Sequence, residues 1–363
     1  MSIPLPSNRP VRILVTRTDR IGDLVLTTPV FSALRKRFPD AWISALVFRQ
    51  HRELVEGNPA INEVLLYDKS GTEKNWIGNF LFAQKLAKIK FDLVIHMHAT
   101  NRMHLLTWLA KIPIRIGYDR RLPWALTHVF KYEKKQGEKH EAAYNFDLLK
   151  PLGIVVPEKF QLHFPLSRES KEALQELLVR GKIDLYKPIV VINPSASCPS
   201  KIWPASYFSK LCEKIAKSFD VNFILIGSTG DQSIVHDVMT KTHTKIYDWS
   251  GKLSLGVLGA LLRAAVLLIS NDSGPVHIAT AVDTPVISIF GRNQPGLSPT
   301  RWKPLGIHDA YLWKDVGCTR CLAHLCQINF LCLESILVQD VYDVVLRYKD
   351  LLTRKKSPHE TLA

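Results

Sequence analysis

The sequence predicts an α/β protein with two doubly wound domains, and three observations support this prediction. Short apolar runs rich in β-branched residues alternate with segments of helical periodicity between residues 11 and 118. The same alternation restarts at residue 188, after a segment at 155–167 that contains two prolines and is typical of an extended linker. Alternating strands and helices predict parallel sheets covered by helices on both faces. We therefore expect an N-terminal domain over residues 1–170 and a C-terminal domain over 171–363.

The elements of the N-terminal half follow from the period of the apolar residues. Runs that fit strands lie at 11–15, 42–48, 64–67, 91–95 and 115–118. Helical spacing is found at 24–38, 76–89, 105–111 and 140–152, and Gly153 is a plausible stop for the last of these. Residues 122–139 show no regular period.

The C-terminal half begins with a helical segment at 169–179 and then repeats the pattern. Strands are predicted at 188–192, 222–226, 245–249, 266–269 and 285–290, with helices at 205–218 and 255–264 and another after residue 274. Packing of the C-terminal helix back onto the N-terminal domain is left open. The charged residues from Lys349 onward are expected to fray.

Composition limits the class of protein. The chain of 363 residues carries 48 basic and 33 acidic side chains, a net charge of +15. This surplus favours anionic partners such as phosphorylated molecules, acidic membranes or nucleic acid. The basic residues are scattered and fit no common nucleic-acid motif, so we expect no nucleic-acid partner. No apolar run is long enough to span a bilayer and the first ten residues are polar, so we expect a cytoplasmic protein.

Four of the six cysteines cluster near the C-terminus. Cys318, Cys321, Cys326 and Cys332 suggest reduced thiols or a metal more than disulfides in a cytosolic protein. The spacings after Cys321 are unusual for a four-thiolate zinc site, so reduced or packed thiols are favoured and metal is kept as the alternative.

Four polar loops follow predicted strands, where ligands bind in open α/β sheets. In the loop at 17–23, Asp23 has two interpretations. It is either an acidic residue that stabilises the N-terminus of a helix through the helix dipole, or a general base. The loop at 193–204 offers hydroxyls and Lys201, which fit a diphosphate, but no Walker A pattern. The loop at 227–231 carries Asp231, which fits ribose hydroxyls or a plain turn. The loop at 270–274 opens a helix and fits an anion site or an ordinary cap.

Together these loops resemble the motifs of glycosyltransferase family 9, the lipopolysaccharide heptosyltransferases. Residues 17–29 are similar to the first family motif, a basic or polar loop followed by Gly-Asp, a short apolar stretch and Pro. Residues 201–204 are similar to its Lys-x-Trp-Pro, and 271–277 to its Asp-Ser/Thr-Gly-x-x-His. Phe290-Gly291 followed by Arg301-Trp302 also fits. The motifs occur in the family's order across residues 11–332.

The resemblance implies a GT-B fold, in which two Rossmann-like domains face each other across a cleft. It implies an N-terminal domain that binds the acceptor and a C-terminal domain that binds the nucleotide sugar. The implied reaction moves a heptose from ADP-heptose to an inner-core sugar of lipopolysaccharide, with inversion.

The resemblance also implies roles for single residues. Asp23 corresponds to the catalytic base, and the acceptor-binding residues are expected to be Arg17, Arg20 and Gly22. The expected ligands of the donor diphosphate are Lys201, Ser197, Ser195, Ser273 and Gly274. The donor sugar and nucleoside are expected to contact Asp272, Asp231 and His277. His96 and His98 stand where the family often has acidic or polar residues, and loop residues without catalytic function are the favoured interpretation.

Such a transfer implies no obligatory metal or other cofactor, and the chain shows no Asp-x-Asp motif. The implied partners are ADP-heptose, a lipid-linked saccharide acceptor and the anionic inner leaflet, with a peripheral position at the inner face of the inner membrane. Two alternatives stay open: a family member that uses another nucleotide sugar, and a catalytically silent protein that binds sugar nucleotides. A nucleic-acid binder, suggested by the charge of +15 alone, is a weaker third.

Overall fold

The structure is a computed structural model that describes residues 3–354. The chain divides into two units, the first ending at Pro165 and the second beginning at Leu166. A helix begins at Arg168, directly after the linker predicted at 155–167, so the domain boundary expected at residue 170 falls inside this helix. The charged residues from 355 onward lie outside the described residues.

The first unit contains one six-stranded sheet. Its strands are β1 (Arg12–Arg17), β2 (Trp42–Phe48), β3 (Glu63–Tyr67), β4 (Leu93–His96), β5 (Ile114–Tyr118) and β6 (His128–Phe130). Its helices are α1 (Ile21–Val25), α2 (Thr28–Arg37), α3 (Trp76–Ile89), α4 (Asn101–Leu109) and α5 (Glu141–Asp147). All strand pairs are parallel, in the order β3-β2-β1-β4-β5-β6. Strand β6 falls in a segment for which the sequence predicted no element.

The helix predicted at 24–38 is two helices. Helix α1 ends at Val25, and α2 begins two residues after Leu26 with Pro29 in its first turn. Proline has no N–H to donate and fits the first turn of a helix, so the chain restarts its helical ladder there. The Thr27 hydroxyl donates to the Asp23 carbonyl oxygen at 2.9 Å and fixes the junction.

The second unit contains a sheet of the same topology. Its strands are β7 (Ile189–Asn193), β8 (Asn222–Leu225), β9 (Ile246–Asp248), β10 (Leu267–Asn271), β11 (Val286–Phe290) and β12 (Ala310–Trp313). The order is β12-β11-β10-β7-β8-β9, again parallel throughout. The central strands β7, β10 and β11 are buried along their whole length, as parallel strands covered on both faces should be.

Helices surround this second sheet. They are α6 (Arg168–Arg180), α7 (Ala205–Ser218), α8 (Gln232–Thr240), α9 (Leu255–Ala264), α10 (Gly274–Ala281), α11 (Pro299–Trp302), α12 (Leu331–Glu334), α13 (Val338–Val345) and α14 (Lys349–Thr353). Helix α7 buries Phe208, Leu211, Cys212 and Ile215, a spacing that places them on one face of a helix.

The C-terminal helices belong to the second unit. Val341, Val345 and Leu352 are buried in the same core cluster as Phe208 of α7. The indole N–H of Trp203 donates to the Ile336 carbonyl oxygen at 2.8 Å and ties this segment to the sheet. The C-terminal helices thus pack into the core of the second unit, and residues 349–353 form a helix instead of a frayed end.

Candidate functional site

Each sheet has one position where the strand order reverses, and the predicted loops lie there. In the first sheet this switch point lies between β1 and β4, and in the second between β7 and β10. Ligands of doubly wound sheets bind at the carboxyl ends of the strands at such a point. The loops at 18–20 and 97–100 follow β1 and β4, and those at 194–204 and 272–273 follow β7 and β10.

At the switch point of the first unit, Arg17 is the centre of a buried charge cluster. Its side chain, the last of β1, is only 2% exposed. Its Nε donates to Asp19 Oδ1 at 2.9 Å, and its Nη2 donates to Asp23 Oδ1. Its Nη1 donates to the Met97 carbonyl oxygen at 3.1 Å, which links β1 to the loop after β4. The guanidinium thus fixes the position of the Asp23 carboxylate.

Residues distant in sequence complete this cluster. Glu141, fully buried at the start of α5, accepts from Arg17 Nη2 at 3.2 Å and from Lys134 Nζ at 2.6 Å. Asn145, one helical turn later, accepts from Arg17 Nη1 at 3.2 Å. Its side-chain amide donates to the Leu26 carbonyl oxygen at 3.2 Å, just after the helix that carries Asp23. Helix α5 therefore fixes both Arg17 and α1.

The buried charges of the cluster do not balance. Three carboxylates, those of Asp19, Asp23 and Glu141, face two cations, those of Arg17 and Lys134. Burial, and then the negative charge of Asp19, raise the pKa of Asp23 to about 6 against the opposing effect of Arg17. Burial also raises the pKa of Asp19. A carboxylate with such a pKa is ionised at neutral pH and accepts a proton more readily than an ordinary aspartate, as a general base requires.

The two histidines after β4 have different surroundings. His96 is fully buried, and its ring nitrogens lie 3.0 Å from Thr16 Oγ1 and 3.1 Å from Thr107 Oγ1. Burial lowers its pKa well below the usual value, so it is a neutral core residue. His98 Nδ1 lies 3.6 Å from Asp19 Oδ2, and burial and the charge of Arg17 lower its pKa to about 4. Neither histidine carries charge at neutral pH.

The structure changes the expected role of Arg17. The sequence predicted that it binds the acceptor, but its guanidinium is buried and bound to carboxylates of its own unit. These contacts hold Asp23 next to Arg17, and no pattern in the sequence indicated the distant partner Glu141. Arg20 is exposed as the N-cap of α1, and Gly22 is buried in the first turn. The roles of these two remain predictions.

At the switch point of the second unit, Lys201 and Asp272 form an ion pair. Lys201 Nζ lies 2.5 Å from Asp272 Oδ2, and the two side chains are 12% and 7% exposed. Asn271 joins their loops, because its Oδ1 accepts from the Trp203 backbone N–H at 3.0 Å and its Nδ2 donates to the Pro194 carbonyl oxygen at 2.7 Å. The predicted phosphate-binding lysine and the predicted donor-binding acid are therefore neighbours.

A network of amide and hydroxyl groups lies beside this pair. Asn193 Nδ2 donates to Ser273 Oγ at 2.8 Å and to Ser270 Oγ at 3.0 Å, and Ser195 Oγ donates to Asn193 Oδ1 at 2.9 Å. The hydroxyls of Ser195 and Ser273 thus brace the loops. The Ser273 side chain does not cap α10, which leaves the first-turn N–H groups of that helix as the groups suited to an anion. Ser197 is exposed.

Gly291 allows the loop that carries Lys201 to approach β11. A Cβ atom at Gly291 would lie 2.3 Å from the Ser200 carbonyl oxygen, a distance that backbone atoms cannot accept. Glycine is needed where two backbone segments approach this closely. The Phe-Gly step of the family motif is therefore a packing requirement next to Lys201.

Two of the residues predicted to bind the donor have contacts or burial within their own unit. Asp231 Oδ2 accepts from the Ser228 N–H at 2.7 Å and from the Ser228 hydroxyl at 2.6 Å, which forms a capping box before α8. Of the two interpretations of this loop, the plain turn is therefore present in the structure. His277 is buried within α10. Contact of either residue with a nucleotide remains a prediction.

The four clustered cysteines line one small cavity. Cys318, Cys321, Cys326 and Cys332 are free thiols around a space of about 210 Å³. Burial raises the pKa of Cys332, which keeps this thiol protonated at neutral pH. Within residues 3–354, no three His, Cys, Asp or Glu side chains form a ready metal-binding group. Reduced thiols and metal both remain open to elemental analysis of the purified protein.

Two doubly wound parallel sheets, each with polar loops at its switch point, are typical of the GT-B class of glycosyltransferases. The sequence model described as Glycosyltransferase family 9 (heptosyltransferase) matches residues 80–331. Lipopolysaccharide heptosyltransferase 3 of Escherichia coli K12 is 32% identical over 279 residues, which cover 74% of this chain and 79% of that protein. The chain belongs to glycosyltransferase family 9.

Solved structures are similar over nearly the full length. The glycosyl transferase family 9 protein of Veillonella parvula superposes with a TM-score of 0.84 at 25% identity, covering 96% of this chain and 99% of that one. The E. coli heptosyltransferase WaaC with ADP-2-deoxy-2-fluoro heptose gives a TM-score of 0.68 at 18% identity, covering 93% and 99%. The predicted α/β fold of two Rossmann-like domains is thereby confirmed.

Proposed function

We propose that this glycosyltransferase transfers a heptose from ADP-heptose to an inner-core sugar of lipopolysaccharide, with inversion at the anomeric carbon. The observation that carries the proposal is the Asp23 carboxylate, held by Arg17 at a switch point with a pKa raised to about 6. The name of the E. coli relative and the donor analogue in the WaaC structure support heptose as the sugar and ADP as the nucleotide.

In the proposed step Asp23 acts as the general base. It takes the proton from the acceptor hydroxyl while that oxygen attacks the anomeric carbon of the donor. The bond from this carbon to the diphosphate oxygen breaks, and ADP leaves with the bonding electrons. One displacement on the opposite face inverts the configuration, and the step needs no metal.

The second unit is proposed to bind the donor. Lys201 exchanges part of its pairing with Asp272 for the diphosphate, and the N–H groups of Ser273 and Gly274 donate hydrogen bonds to the phosphate oxygens. Asp272 then lies next to the donor sugar. Three further residues are proposed to lie near the bound nucleotide: Ser197, Asp231 and His277.

The first unit is proposed to bind a lipid-linked saccharide through the loop that contains Arg20 and Gly22. None of the helices within residues 3–354 is both long and apolar enough to cross a bilayer. The basic surplus of +15 supports a peripheral position at an anionic cytoplasmic leaflet.

The proposal is tested by measuring nucleotide release from ADP-heptose, UDP-sugars and GDP-sugars with a delipidated inner-core acceptor. Release of ADP that requires both ADP-heptose and acceptor supports it. Turnover of a UDP- or GDP-sugar alone would identify a family member with another donor. Binding of ADP-heptose without turnover would identify the silent binding protein instead.

A further inference from the structure

Helix α3 exposes a stripe of large apolar side chains. Trp76, Ile77, Phe80 and Leu81 are all exposed, and the Trp76 side chain is the extreme case at 78%. Their spacing of one, four and five positions places them along one face of the helix. Single exposed apolar residues are common, but a contiguous patch of them marks an interaction surface.

This stripe is not the face that holds α3 to its unit. Phe82, Ala83 and Leu86 are buried in the core cluster under the sheet, on the opposite side of the helix. The N-terminus of α3 is fixed, because Asn75 caps it by accepting from the Gly78 N–H at 2.9 Å. A Cβ at Gly78 would meet the Thr72 carbonyl oxygen at 1.8 Å, so the preceding loop closes tightly on this turn. Trp76 and Ile77 are thus presented from a rigid position.

Helix α4, which lies beside α3, and the turn at Pro123–Ala125 carry further exposed apolar side chains. Leu105, Trp108 and Leu109 are exposed at helical spacing on α4, whose buried face shares the core cluster with α3. The rings of Trp108 and Trp124 pack edge to face with centroids 5.4 Å apart. Trp124 nevertheless keeps 60% of its surface exposed.

The segment that contains α3 and α4 is mostly basic. Residues 74–111 contain six Lys and Arg and a single acid, Asp92. Asp92 is already paired with Arg9 and accepts from the Arg12 N–H at 2.8 Å. Lys85 and Lys88 are exposed on α3 next to the stripe. Tryptophan and apolar side chains flanked by exposed basic residues suit the boundary of an anionic bilayer.

We propose that this α3–α4 surface, formed by Trp76, Ile77, Phe80, Leu81, Leu105, Trp108, Leu109 and Trp124, docks onto anionic phospholipid bilayers. The inference rests on the proposed function in one respect, because a lipid-linked acceptor lies in such a bilayer. The rings and aliphatic groups enter the headgroup boundary, and Lys85 and Lys88 contact phosphates.

Co-flotation with vesicles tests the surface. The probes are vesicles of phosphatidylethanolamine with phosphatidylglycerol, and vesicles of phosphatidylcholine alone. We expect binding to the anionic vesicles only, reduced roughly tenfold or more in Trp76→Ser/Phe80→Ser. In Lys85→Glu/Lys88→Glu the affinity for anionic vesicles should fall at least about fivefold per residue, and binding should depend less steeply on salt. Val179→Ser, an exposed apolar residue on α6, is the matched control and should bind as the wild type does.

Vesicle binding by Trp76→Ser/Phe80→Ser that equals the wild type would overturn the proposal. So would a wild-type dimer that these substitutions dissociate without any vesicle binding, since the surface would then join two copies. Turnover on the delipidated acceptor is measured for every variant and should equal that of the wild type. If the wild type binds vesicles but turns over no ADP-heptose, the proposed function fails and the docking surface stands.

Discussion

The switch points of the two units differ in their balance of acidic and basic side chains. In the first unit three largely buried carboxylates face two cations, and burial, followed by the negative charge of Asp19, raises the pKa of Asp23 to about 6. In the second unit one lysine faces one aspartate, beside amide and hydroxyl groups that satisfy each other. An unbalanced buried cluster suits proton transfer, whereas a balanced pair beside a helix N-terminus suits exchange of one anion for another. The same sheet topology thus supports two different tasks.

The largest expected effect comes from the unbalanced cluster. Asp23→Asn keeps the shape of the side chain and its contact with Arg17 but cannot accept the proton. We expect turnover to fall by about 100- to 10,000-fold with unchanged affinity for ADP-heptose, measured by steady-state kinetics and calorimetry. Asp40→Asn, an exposed acid of the same unit, is the control and should keep wild-type turnover. Retained turnover in Asp23→Asn would remove Asp23 as the base.

A substitution in the ion pair of the second unit should change the affinity for the donor. Lys201→Ala removes the cation proposed to contact the diphosphate, and we expect the affinity for ADP-heptose to fall about 10- to 100-fold, the usual loss for a charged hydrogen bond. Calorimetric titration measures this change. Lys210→Ala, an exposed lysine on α7, should bind as the wild type does. Equal affinities for both variants would contradict the phosphate role of Lys201.

A smaller effect concerns the packing that holds Lys201. Gly291→Ala places a methyl group against the Ser200 carbonyl oxygen, and we expect the free energy of unfolding to fall by about 1–3 kcal/mol. Gly230→Ala is the matched control, because its Cβ would meet only the Ser228 hydroxyl at 3.7 Å. Urea unfolding compares the two. Equal stability of both variants would show that the close approach is not needed.

The smallest expected effect comes from removing a negative charge near Asp23 while Asp23 itself is kept. Asp19 is the second largest cause of the raised pKa of Asp23. Asp19→Asn removes this negative charge, so the acid limb of kcat/KM should move to lower pH, towards the ordinary aspartate value of about 4. A pH–rate profile of the variant measures the shift. A move to higher pH would contradict the electrostatic account.

Much of the fold could be predicted because its signals are local. The bounds of β2, α3, α7 and α9 agree with the predicted segments, since each has a clear period and a clear start or stop. Strands β6 and β12 were missed because they are short edge strands with no buried apolar run. The break between α1 and α2 was missed because the apolar spacing continues through it.

The candidate site was only partly predictable. Asp23, Lys201 and Asp272 stand in recognisable motifs, and the structure places each at a switch point. The burial of Arg17 could not be foreseen, because it depends on Glu141 and Asn145, more than a hundred residues away. The Asp231 cap is a local pattern that the sequence left open between a turn and a ligand.

The central claim is that Asp23 is a base whose pKa is raised by its burial and by the negative charge of Asp19. The pH dependence of kcat/KM for ADP-heptose transfer to a delipidated acceptor tests it most directly, because this parameter reports ionisations of the free enzyme. The base must be ionised to act, so kcat/KM should rise with pH through an apparent pKa of about 6 and level off above it. An acid limb at the ordinary aspartate value of about 4, or no acid limb, would contradict the claim.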